Sequence, residues 1–148
     1  MKISIGLLLI ISLLSASCQD EDANRGWRKA DFEASVNGEI VYDIFYDTKI
    51  EKMFDFVVIR TSIVFTDYGK KIYYNSKQPE SKQMISSGAD LLVDFKTNRL
   101  TPILIINYYE DGSSDVTRFK RDELEWFTPP KGSTSECYMN LAIRLAKK

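Results

Sequence analysis

The sequence predicts a mostly-β protein: a single antiparallel sheet domain, a sandwich or a partly closed barrel, with one or two short helices. Two observations lead there. Aromatic and β-branched residues dominate the chain beyond position 30, and their hydrophobic period is nearer two than 3.6. Turn signals recur between these runs, first at Asn37-Gly38, then at Asp67–Lys70, Lys96–Arg99 and Glu110–Ser114.

The chain opens with Lys2, a largely apolar run Ile3–Leu14, and the small residues Ser15-Ala16-Ser17 ahead of Cys18. That run is shorter than the about 20 residues a helix needs to span a bilayer, so a signal peptide over 1–17 is expected rather than a membrane anchor. The acidic stretch Gln19-Asp20-Glu21-Asp22 then reads as part of a solvated tether over 18–30, because consecutive like charges repel and resist burial. One domain over 31–148 follows, long enough for a core of its own.

Within the domain, Phe32–Val36 and Glu39–Tyr46 flank Asn37-Gly38, a hairpin signal because both centres of a type I′ turn need positive φ. Asp47–Lys52 is polar and reads as a connection or one helical turn. Phe54–Asp67 is apolar on both faces and is expected as a central strand. Asp67–Lys70 turns and Lys71–Asn75 returns. Gln78–Gly88 reads as a short helix starting at Pro79 and ending at Gly88. Ala89–Phe95 and Leu100–Tyr109 form a second hairpin, with Pro102 at an edge or bulge because it cannot donate to a ladder. Glu110–Ser114 leads into Asp115–Lys120. Arg121–Phe127 suits a helical turn, and Thr128–Ser135 a loop. In the tail, Cys137, Met139, Leu141, Ile143 and Leu145 alternate with Tyr138, Asn140, Ala142 and Arg144, which predicts a closing strand.

The segment Leu14-Ser15-Ala16-Ser17-Cys18 resembles the lipobox of bacterial lipoproteins, with Ser15 where leucine is usual. The resemblance covers the first 18 residues. It implies diacylation of Cys18 and anchoring in the membrane of the bacterial cell envelope through that lipid. The acidic residues behind Cys18 look like the export tag of some surface lipoproteins, and Gln19 beside the cysteine argues against inner-membrane retention. The outer membrane is therefore favoured, with its face open. Ser15 and Ser17 also suit an ordinary signal peptidase, which would leave Cys18 unmodified. Cys137 has no intramolecular partner in the first case; a Cys18–Cys137 disulfide is permitted in the second.

Composition excludes several functions. Twenty basic and 21 acidic residues give a formal charge of −1, without the clustered basic face that nucleic acid requires. The chain has 0 histidines, so neither a histidine-based triad nor a histidine zinc site can form. No cofactor or metal is expected. Glu110–Asp115 has a calcium-like composition, but an EF-hand register would put Tyr109 at a ligand position, so a hairpin turn explains it better. No catalytic residue is assigned.

What remains is a set of aromatics. Tyr73-Tyr74 and Tyr108-Tyr109 are adjacent pairs, and on a strand one member of each pair faces outward. Trp126-Phe127 stands beside Pro129-Pro130, as a plug at one end of the sheet or as an interaction loop. Tyr73, Tyr74, Tyr108, Tyr109 and Trp126 are therefore the candidate contacts for a protein or glycan partner. The expected function is a non-enzymatic, lipid-anchored binding or interaction module. The alternative is an envelope inhibitor or immunity-type protein that neutralises a toxin or hydrolase. A small carboxylate-dependent hydrolase ranks last.

Overall fold

A computed structural model describes residues 26–148. The signal segment, Cys18 and the acidic residues behind it lie outside the described residues. The rest is mostly strand, in one antiparallel sheet that is not closed, with two short helices. The strands are β1 (Trp27–Lys29), β2 (Ala34–Val36), β3 (Glu39–Asp47), β4 (Glu51–Met53), β5 (Phe56–Phe65), β6 (Met84–Asp94), β7 (Arg99–Tyr109) and β8 (Ser114–Arg118). The helices are α1 (Asp67–Ile72) and α2 (Thr134–Ala146).

The sheet runs in the order β1-β3-β5-β6-β7-β8. Both β1 and β2 pair with β3, and β4 lies beside the first half of β5. As predicted, Asn37 (φ 54°) and Gly38 (φ 81°) turn β2 into β3. A second two-residue turn at Phe54-Asp55 joins β4 to β5, with Phe54 at φ 52° and 97% exposed. The polar connection expected over Asp47–Lys52 thus contains the start of a strand. β5 occupies the centre of the sheet as expected, paired with β3 and β4 on one side and β6 on the other.

Pro102 sits both at a bulge and beyond the end of the next strand. The register with β6 slips between Leu91↔Pro102 and Asp90↔Leu104, and the β8 ladder reaches only Leu104↔Arg118. A missing N–H is tolerated there because no neighbouring strand needs it.

Several local expectations are overturned. The tether expected over 18–30 does not run up to a domain that begins at 31: Trp27–Lys29 pair with β3 as β1, and Ala30 is buried in the core. Asp67–Asn75 is not a turn with a returning strand: Thr66 caps α1, its hydroxyl accepting from Gly69 N–H at 3.0 Å. A Cβ on Gly69 would lie 1.7 Å from the Val41 carbonyl oxygen, so only glycine lets this helix dock on β3. Gln78–Gly88 is not a helix either. A single 3₁₀ turn spans Glu80–Lys82, and β6 starts at Met84. The Gln83 side chain ties this loop, accepting from Asn75 N–H at 2.9 Å and donating to the Asn75 and Gln78 carbonyls.

The largest correction concerns the tail, which is a helix and not a closing strand. Ser133 caps α2 by accepting from Glu136 N–H at 3.2 Å, and Glu136 accepts from Gly132 N–H at 2.6 Å. The buried positions Tyr138, Leu141 and Ala142, with the half-buried Leu145, follow helical spacing. Tyr138 and Ala142, expected outward, therefore face the core, where Ala142 is 0% exposed. α2 lies on one face of the sheet and closes the core over Ile44, Val57, Ile59, Leu91, Val93 and Leu100. A helix, rather than a second sheet, is thus the covering layer.

Candidate functional site

Alternation along the strands assigns each side chain to a face. In β5, Val57, Ile59 and Thr61 point to the α2 side and are buried; Phe56, Val58, Arg60, Ser62 and Val64 point away. Register carries that second face across the sheet through Leu92, Asp90, Gly88 and Ser86 of β6 and Leu104, Ile106 and Tyr108 of β7, then to Val116 of β8. Among the described residues no second sheet and no second long helix packs on this face. Its apolar side chains are half-buried or exposed, Val116 most of all at 53%. An uncovered sheet face with this content is the main candidate surface.

A trough crosses this face, with a volume of about 380 Å³. Its floor is the pair Ser62↔Gly88, where two small residues stand opposite each other in neighbouring strands. Trp27 lines it together with Leu104, Ile106 and Tyr108. Arg60 and Asp90 also line it, with 3.5 Å between Arg60 Nε and Asp90 Oδ1. Burial raises the Asp90 carboxyl above its ordinary value, and the Arg60 charge opposes that shift. The trough therefore combines aromatic and aliphatic walls with one partly buried ion pair.

The sequence-derived candidates do not converge on one spot. Tyr108 lies in the trough. Trp126 lies at the far end of the same face, its ring 5.8 Å from that of Phe56, with the Arg99 guanidinium 5.8 Å from its centroid. Phe56 and Val64, the positions nearest these two ends, stand eight residues apart in β5, roughly 26 Å of strand. Tyr109 points to the opposite face, where its hydroxyl donates to Asp115 and Lys82 stands 5.9 Å from the ring centroid. That hydrogen bond to a carboxylate raises the Tyr109 pKa.

Tyr73 and Tyr74 follow α1 rather than forming a strand, so alternation does not separate them. Both are 54% exposed. The Tyr73 ring packs at a tilt against Phe65, 5.3 Å between centroids, in an aromatic row that continues edge-on to Tyr42. No protein-family model, curated protein or solved structure matches this chain. Geometry is therefore the basis for the site.

Sequence reasoning missed Trp27, Arg60, Gly88 and Asp90 as site residues. Gly88 carried a usable signal: a glycine inside a run that becomes a strand removes a side chain from one face. The helix expected over Gln78–Gly88 ends at this glycine, which masks the signal. Cys137 lies in a separate cleft of about 380 Å³ beside Arg144 and Asn140, and burial raises its thiol pKa. A raised pKa makes it a weak nucleophile and leaves it a packing residue.

Proposed function

We propose that this protein is a non-enzymatic, lipid-anchored binding module of the bacterial cell envelope that presents its open sheet face to a protein or glycan partner. The observation that carries the reading is the uncovered apolar face with its small-residue trough between Trp27 and Tyr108. The anchor rests on Cys18 behind Ile3–Leu14, and the non-catalytic role on the absence of histidine from the sequence. The breadth of the face relative to its shallow trough favours a protein partner, which suits the second reading, an inhibitor or immunity-type protein.

Capture from envelope extracts tests the surface. Gly88→Val fills the trough, and its Cβ meets nothing closer than the Thr61 carbonyl at 3.5 Å, so the fold should tolerate it. Retention of the partner should fall about tenfold or more, the scale of one anchoring side chain. Unchanged retention by a folded Gly88→Val protein would remove the trough from the reading. A captured toxin or hydrolase at equal stoichiometry would select the inhibitor reading. For the anchor, radiolabelled palmitate should enter the wild type and not Cys18→Ala. Soluble, unlabelled wild-type protein would show the address to be wrong.

A further inference from the structure

We propose that the cleft formed where the chain leaves the sheet edge after β8 is a saccharide-binding site, anchored by the hydroxyl of Thr101. Phe119 N–H donates to the Ile103 carbonyl at 3.1 Å, and the chain then departs from β7. It returns at Phe127, which exchanges backbone hydrogen bonds with Leu100 at 3.0 and 3.1 Å. Pro102 lies between these contacts and has no N–H to offer. The excursion encloses a cleft of about 780 Å³, within the size range of small-molecule sites. Its outer turn is held by Glu123, whose carboxylate accepts from Lys120 N–H at 2.8 Å.

Thr101 lines this cleft and is 1% exposed. Its Oγ1 is, among the described residues, the buried side-chain polar atom without a hydrogen-bond partner. A buried hydroxyl left unpaired is costly, and such an atom in the wall of a cleft asks for a partner supplied by a ligand. Thr101 is closed to solvent here, so a ligand hydroxyl meets Oγ1 where the side chains that cover it move aside.

The rest of the lining selects the ligand class. Phe119, Trp126 and Phe127 contribute flat apolar surface. Arg118 only donates, Glu123 and Glu125 only accept, and Thr101 does both. Arg118, together with Arg99 on the Trp126 ring, balances the two glutamates, so the rim selects neither a cation nor an anion. A neutral polyol with apolar C–H faces and hydroxyls that both donate and accept matches all of these groups. The inference rests on the reading of this chain as a binding module, but not on its lipid anchor.

Calorimetric titration of the whole protein with maltotriose, cellotriose and chitotriose tests it. At least one should bind saturably. Thr101→Val should weaken that binding about tenfold, equivalent to about 1.4 kcal/mol, while Thr101→Ser, which keeps the hydroxyl, should retain it. The thermal midpoint of Thr101→Val should equal or exceed that of the wild type, because the isostere removes an unpaired group. No binding of any of the three sugars, or equal affinity in Thr101→Val, overturns the proposal. A lowered midpoint in Thr101→Val also overturns it, because the hydroxyl would then already be satisfied within the fold. If sugar binding fails while envelope capture persists, only the cleft proposal falls; if both fail, the binding-module reading falls with it.

Discussion

Asp94 shows how one residue closes a hairpin. It ends β6, and its carboxylate accepts from the Lys96 and Thr97 backbone N–H groups at 3.0 and 3.1 Å and from the Thr97 hydroxyl at 2.6 Å. The Thr97 hydroxyl is the largest of several influences that hold its pKa below the ordinary value. A lowered folded-state pKa stabilises the protein above the unfolded value of about 3.9, and that stabilisation is lost as pH falls through the folded pKa. Asp94→Asn should therefore cost about 1–3 kcal/mol at pH 7. The gap to wild type should narrow as the pH is lowered toward 3. Urea midpoints at both pH values measure it, and a gap that widens in acid would contradict this account. Asp90 has the opposite sign: burial raises its pKa, so its ionised form weighs against the fold at neutral pH. Residues of this kind were legible only in part. Asp94 begins the turn anticipated at Lys96–Arg99, whereas Asp90 is an ordinary strand residue until its neighbours are known.

At the scale of elements, α2 is the instructive case. Its sequence alternates well enough to pass for a strand, yet it carries helix signals: Ser133 with Glu136 three positions later, and apolar residues at 138, 141, 142 and 145. Cys137, Met139 and Ile143 fill the flanks of a broad buried stripe, and that width imitates period two. The two patterns disagree on Ala142, which a strand would turn outward and the helix buries at 0% exposure. Ala142→Leu should therefore destabilise by about 1–3 kcal/mol through overpacking, and Leu141→Ala by about 2–5 kcal/mol through a cavity. Arg144→Ala should cost less than about 1 kcal/mol. Chemical denaturation of the three variants checks this, and a neutral Ala142→Leu would restore the strand. A comparable ambiguity hid the β4–β5 turn. Phe54 at positive φ violates the usual turn chemistry, so the long apolar run looked continuous.

For the whole molecule, the layer arrangement gives a direct test. Ile44 belongs to the face under α2 and is 0% exposed, while Ile106 lies on the open face and is half-buried. Ile44→Ala should cost about 2–5 kcal/mol, and Ile106→Ala less than half as much because water already reaches it. Equal losses in urea denaturation would mean that a second layer covers the open face. Much of the strand framework was determined by sequence alone: the Asn37-Gly38 hairpin, the central β5, the paired β6 and β7, and Pro102 at a bulge and a strand end. These depend on local turn chemistry and side-chain period, which act over a few residues. Tertiary structure alone decided that a helix covers one face and that, among the described residues, no second layer covers the other, because covering depends on which distant residues meet. The same holds for the trough. Ser62 and Gly88 lie 26 positions apart in the chain, and only the antiparallel register of β5 and β6 sets them side by side.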